Sequence, residues 1–101
     1  MTDLCKEIAD MGKGIGNENR YRVLETLMKG PLAVGEIAKK VGLPQPAVSQ
    51  HLRVLKSVHL VEDERQGQEV LYSVSVSYMA GLLKKLATSL PSKKITRKLK
   101  L

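Results

Sequence analysis

The chain has 101 residues, a net charge of +7 and 43% apolar residues, which makes it one small domain with a modest core and not a disordered chain. It has no Phe or Trp and only three Tyr, which argues against recognition of single-stranded nucleic acid by aromatic stacking. A single cysteine, Cys5, allows no disulfide within the chain, and no stretch is long enough to span a membrane.

The placement of the charge says more than its size. Residues 1–83 hold ten Lys/Arg and ten Asp/Glu and so balance. The surplus lies beyond, in Lys84, Lys85, Lys93, Lys94, Arg97, Lys98 and Lys100, with no acid among them. A second stretch, from Ile37 to Val61, holds Lys39, Lys40, Arg53 and Lys56 and also lacks acids. Phosphate binding needs such local excess, because each neutralised phosphate releases condensed counterions. The start MTDLCKEIAD carries acids and no apolar signal core, so a cytoplasmic protein is expected.

In chain order, Leu4, Ile8, Met11 and Ile15 recur at helical spacing and predict a first helix over about 3–12, broken by Gly12, Gly14 and Gly16. Asn17 can cap a second helix, whose apolar stripe is Val23, Leu24, Leu27 and Met28 and which ends at Gly30-Pro31. A short helix over Val34–Lys40 turns Ile37, Ala38 and Val41 inward, and Gly42 ends it. Pro44 and Pro46 suit the first turn of the next helix, 43–57, with Val48, Leu52 and Leu55 as its buried row. From Leu60 the period changes to two. A strand over about 60–65 pairs with one carrying Val70, Tyr72, Val74 and Val76, through the turn Gln66-Gly67-Gln68. A last helix, Tyr78–Leu90, has Met79, Leu82, Leu83, Leu86 and Leu90 on one side and stops at Pro91. Residues 1–90 thus form the domain, and 91–101 a basic tail.

The sharpest signal is the spacing inside Val34–Leu55. Two closely crossing helices need a small residue at the contact, Ala38, and a turn residue tolerant of positive φ, Gly42. Val48 then packs back on the first helix. This is the spacing of a helix-turn-helix, and the hairpin after it supplies a wing. With Val48, Leu52 and Leu55 inward, Gln45, Pro46, Ser49, Gln50 and Arg53 face outward, with His51 at the margin and Lys56 near the end. Gln can pair with adenine, Arg can fork onto guanine, and Ser can donate or accept, so this row suits a major-groove reader. Arg65, Gln66 and Gln68 at the hairpin tip suit a phosphate or the minor groove. Glu62, Asp63, Glu64 and Glu69 flank that tip and would repel DNA if they faced it.

The segments NRYRVLETLMKGPLAVGEIAKKVGLPQPAVSQHLRVLKSVHLV and ERQGQEVLYSV resemble the ArsR/SmtB family of bacterial and archaeal repressors. LKSVHLVEDERQGQEVLYSV looks especially like its zinc-responsive efflux repressors. The resemblance implies a mainly α fold with a small β-hairpin, a winged helix-turn-helix of five helices with the hairpin between the fourth and fifth. It implies a homodimer that reads a palindromic operator in double-stranded DNA and represses transcription. The first and last helices would form the dimer interface, with Leu4, Ile8, Met11, Met79, Leu82, Leu83, Leu86 and Leu90 as its apolar residues. Intramolecular packing must claim part of each row.

The family's sensing chemistry does not carry over with the resemblance. Where many members have a Cys-Val-Cys, this chain has PLAVGEI, with Ala33 and Gly35 in place of the cysteines. Where the zinc branch has Asp and His on the last helix, this chain offers Val76, Tyr78, Ser89 and Ser92. Zinc needs three or four N, S or carboxylate ligands, so no metal and no cofactor is expected. Redox-sensing relatives use two cysteines; Cys5 alone could only pair across a dimer or with a small thiol. The expected partners are double-stranded DNA, a second copy and an unidentified small-molecule inducer, with no membrane. Two alternatives are a winged-helix module that binds another protein, favoured by the acidic wing flank, and a thiol-responsive repressor acting through Cys5. With no nucleophile–base pair, phosphate loop or metal cluster, an enzyme is not expected.

Overall fold

The computed structural model describes residues 3–90; the basic tail and Ser92 lie outside that range. The elements are α1 (Asp3–Ile15), α2 (Glu18–Thr26), a single 3₁₀ turn (Leu27–Lys29), β1 (Leu32–Ala33), α3 (Val34–Val41), α4 (Gln45–Ser57), β2 (Val61–Gln66), β3 (Glu69–Val74) and α5 (Val76–Thr88). The strands form an antiparallel sheet in the order β1-β3-β2. This is a winged helix-turn-helix, mainly helical with a small sheet.

Six local expectations are corrected by the structure. The first helix does not break at Gly12 but runs to Ile15. Gly14 is buried: a Cβ there would lie 2.8 Å from Leu60 Cδ1 and 3.0 Å from Val58 Cγ2. The glycine serves close approach of α1 to the end of α4, and that packing outweighs a propensity cost of about 1 kcal/mol. The second helix stops at Thr26, and Met28 is 52% exposed on the 3₁₀ turn. The helix expected over 43–57 begins at Gln45, because Pro44 is extended and Pro46 occupies its first turn. The hairpin turn is only Gly67-Gln68, since Gln66 already pairs with Glu69. Gly67 has φ +66, as the first central residue of a tight hairpin requires. Val76, expected on a strand, opens α5, and α5 closes at Thr88, before Leu90.

Asn17 caps α2 as expected, its Oδ1 accepting from the Arg20 N–H at 2.9 Å. The strand β1 carried no period of its own; two residues pair with Tyr72 and Leu71 and add a third strand to the wing. The core is the meeting of all five helices with β2: Val23, Leu24, Ile37, Val48, Leu52, Leu55 and Leu60 are wholly enclosed, joined by Met11, Leu27, Ala38, Val41, Val58, Val61 and Leu82. Each large aliphatic side chain so enclosed contributes about 1.5–3 kcal/mol. Leu32, Tyr72 and Val74 bring the sheet onto this core.

Because Leu60 cannot retreat from a wholly enclosed site, Gly14→Val is expected to destabilise the fold by about 1–3 kcal/mol through overpacking, read as a lower urea midpoint. An unchanged midpoint would mean that α1 does not lie against Val58 and Leu60.

Candidate nucleic-acid interface

The interface begins with the turn between α3 and α4. Gly42 adopts the left-handed conformation, φ 72 and ψ 32, and its N–H and that of Leu43 both donate to the Ala38 carbonyl, at 2.9 and 3.3 Å. Two arginines that the sequence assigns to no role support this region. Arg22 donates to the Val41 carbonyl at 3.1 Å and so holds the last turn of α3. Arg20 forks onto the Gly14 and Lys13 carbonyls, at 2.7 and 2.8 Å, and closes the end of α1. No periodicity separates these from solvated arginines; only the fold brings helix ends to them.

With Val48, Leu52 and Leu55 enclosed on the inner side of α4, the outer side presents what its spacing predicts. Gln45, Pro46, Gln50 and Arg53 are exposed, and Ser49 is half-buried. Arg53 Nη1 donates to Gln50 Oε1 at 2.8 Å, so guanidinium and amide sit side by side one helical turn apart. Gln45 lies back against α3, where a Cβ on Gly35 would fall 3.2 Å from its Nε2.

Two members of the expected set are placed differently. Lys56 is engaged by Asp63 on β2, Nζ to carboxylate at 3.0 Å. A partly exposed pair of this kind contributes only about 0–1 kcal/mol, so it positions more than it stabilises. His51 is half-buried, and burial, with the nearby Arg20 charge second, holds its imidazole below the usual 6.5. It is therefore neutral near pH 7 and unsuited to hold a phosphate by charge.

The hairpin register sorts the wing's charges. Val61, Asp63 and Arg65 alternate with Glu62 and Glu64, so the two groups occupy opposite faces of β2. Val61 is buried and Asp63 reaches α4, which puts Arg65 on the α4 side and Glu62 and Glu64 on the other. Arg65, Gln66 and Gln68 are exposed at the tip, with Arg65 Nη1 donating to the Gly67 carbonyl at 3.4 Å. Glu69 stays near α4, lining a cleft with Gln45, Glu36 and Lys39.

The apolar residues assigned to the terminal helices divide into two groups. Met11 and Leu82 belong to the core of the single chain, at 9% and 2% exposure, and are not free for a partner. Leu4, Ile8 and Met79 are half-buried against that core, while Leu83, Leu86 and Leu90 stand exposed. Val76, outside the expected set, is 67% exposed at the start of α5. Among the described residues no helix is long and apolar enough to cross a membrane, and no three His, Cys, Asp or Glu side chains are grouped to hold a metal ion. Cys5 is exposed.

The sign of the His51 shift gives a test. The unfolded chain binds a proton there more readily than the fold does, so His51 stabilises the fold fully above the ordinary histidine range and loses that contribution as pH falls below it. Lowering pH from about 7.5 to about 5.5 should lower Tm more in the native chain than in His51→Gln, measured by circular dichroism. Equal shifts would put the imidazole in open solvent.

Residues 17–63 match the profile described as bacterial regulatory protein, arsR family. The chain is 40% identical over 70 residues to the HTH-type transcriptional regulator Rv2034 of Mycobacterium tuberculosis, a match covering 69% of this chain and 65% of that protein. It thus spans just under two thirds of the length of that relative. It is 31% identical over 88 residues to the biofilm growth-associated repressor of Xylella fastidiosa, covering 87% of this chain and 77% of that one. The solution structure of a homodimeric winged helix-turn-helix DNA-binding domain from Mycobacterium bovis superposes with a TM-score of 0.70 at 30% identity, covering 87% of this chain and 88% of that one. With this fold, and with these matches along most of its length, the chain belongs to the ArsR family of bacterial regulatory proteins.

Proposed function

We propose that the chain is a sequence-specific repressor of transcription, not an enzyme, which binds a palindromic site in double-stranded DNA as a cytoplasmic homodimer. One observation carries the reading: α4 buries its aliphatic row completely and so fixes an outward row of exposed amides and a guanidinium, with a half-buried hydroxyl among them, within a stretch of chain that lacks acids. In this docking the first turns of α4 enter the major groove. Gln50 and Arg53, already in contact, address adjacent base edges, with Ser49 and the start of the helix at Gln45 and Pro46 beside them. Arg65, Gln66 and Gln68 reach the flanking backbone or minor groove from the wing, and Lys56 a phosphate at the other end of α4. His51 serves by shape beneath this row, not by charge. The names of the relatives, repressors and a homodimeric DNA-binding domain among them, support the same reading.

The second copy is held through the exposed Leu83, Leu86 and Leu90, with Leu4, Ile8 and Met79 at the margin. An isologous pairing of this kind places the two α4 helices about one turn of DNA apart, which is why a palindrome is expected. An inducer would be a small molecule.

Replacing Gln50 and Arg53 together by Ala should weaken binding to a selected duplex by at least about a hundredfold, while the urea midpoint stays within about 0.5 kcal/mol of the native chain. Binding of the native chain should fall steeply with salt. Unchanged affinity in a gel-shift titration would remove α4 as the reading helix. Leu83→Glu with Leu86→Glu should yield a folded monomer in sedimentation, since both residues are already exposed in one chain; a persistent dimer would place the interface elsewhere.

A further inference from the structure

The second residue of α3 is a glycine, and its backbone does not call for one. Gly35 lies within the regular helix Val34–Val41, whereas the described glycines with positive φ are Gly30, Gly42 and Gly67. Alanine would favour the helix more, since glycine loses more backbone freedom on folding. What the missing side chain leaves is room. A Cβ there would fall 3.2 Å from Nε2 of Gln45. Among the described residues, and leaving aside its chain neighbours and its own helix backbone, no other heavy atom comes within 4 Å of that Cβ. The space beside Gly35 is thus taken up by the end of one side chain, which belongs to the first residue of the reading helix.

Gln45 stands where α4 begins. Pro44 before it is extended and Pro46 after it lies in the first turn, so two pyrrolidine rings restrict the backbone on either side. What remains variable is the long side chain, and the gap at Gly35 gives it a resting place against α3. An amide that lost this place has other partners at hand, since Glu36, Lys39 and Glu69 line the same cleft. The carboxylates can accept from its NH2 group and the ammonium can donate to its oxygen, and each would turn it differently.

We propose that Gly35 is a specificity-determining residue that acts through Gln45: by leaving room on α3 for the amide, it fixes which base edge Gln45 addresses. Gly35 is a positioning residue and touches no base itself. Bidentate pairing needs the carbonyl and the NH2 of one amide to meet one adenine edge together, so a displaced amide loses both bonds. A side chain placed before binding also gives up less rotamer freedom in the complex. The displacement costs the fold little, because the atom in the way of a Cβ is the end of a flexible side chain and not backbone. A change at Gly35 therefore reaches the reading face without disturbing the core. This role rests on α4 being the reading helix, as proposed above.

Four chains test it: native, Gly35→Ala, Gln45→Ala and the double variant. In the free chains, the side-chain NH2 resonances of Gln45, identified by their loss in Gln45→Ala, should shift in Gly35→Ala, with a urea midpoint no lower than the native one. Unmoved resonances or a lower midpoint would overturn the proposal. With duplexes selected from a random pool, the native preference at one base pair of each half-site should fall at least about fivefold in Gly35→Ala. It should be lost in Gln45→Ala, with no further change in the double variant. A Gly35→Ala profile equal to the native one, or an effect of Gly35→Ala that is as large without Gln45, would also overturn it. Should the native chain bind no duplex, the DNA reading falls and the specificity role with it, while the resonances still report on the contact between Gly35 and Gln45.

Discussion

The structure turns on the burial of one face of one helix. Val48, Leu52 and Leu55 leave α4 no freedom to roll, because each is enclosed by side chains from other elements and together they contribute several kcal/mol of the fold's stability. Everything on the opposite face inherits that precision. A polar row on a helix that could rotate by one residue would present a different set of groups at each setting. On α4 the row is set by the core, and Gly42 sets where the helix starts. The Arg22 contact with the Val41 carbonyl anchors the preceding helix from behind, so the two halves of the motif are held by different chemistry, aliphatic on one side and a charged hydrogen bond on the other.

The wing answers an electrostatic difficulty that the linear order of residues creates. Four acids near a basic tip would oppose an approaching polyanion. Strand alternation sends Glu62 and Glu64 to the face away from α4, and Lys56 neutralises Asp63, which leaves Arg65 on the useful side. The short β1 pairing secures β3 from its other edge, so the hairpin is anchored as part of a sheet and not as an isolated two-stranded ribbon, which would be marginal by itself.

Glu62 lines a cleft with Glu7 and Asp10 of α1 and Tyr78 of α5, and the Lys56–Asp63 pair borders the same cleft.

How much of this was legible in the chain itself follows from the range of each interaction. Contacts between residues three or four apart, or alternating along a strand, leave their period in the order of residues. Hence the five helices, the hairpin, the Asn17 cap, the Gly42 turn and the outward row of α4 could be read directly, as could the family likeness carried by those same segments. Contacts between distant segments leave no period. Gly14 looked like a helix breaker until Leu60 and Val58 were seen pressed against it. Leu82 and Leu83 are neighbours of the same type, yet one fills the core and the other meets solvent, because only the packing of α5 on α1 sets that angle. That Lys56 is paired with Asp63, and that His51 lies in a half-buried niche beside Arg20, left no sign in the order of residues. The sequence by itself determined the elements and the character of their faces, since those arise from short-range geometry. The tertiary structure alone decided which side chains are consumed by the core and which charges are already paired, since those depend on which distant residues the fold brings within a few ångströms.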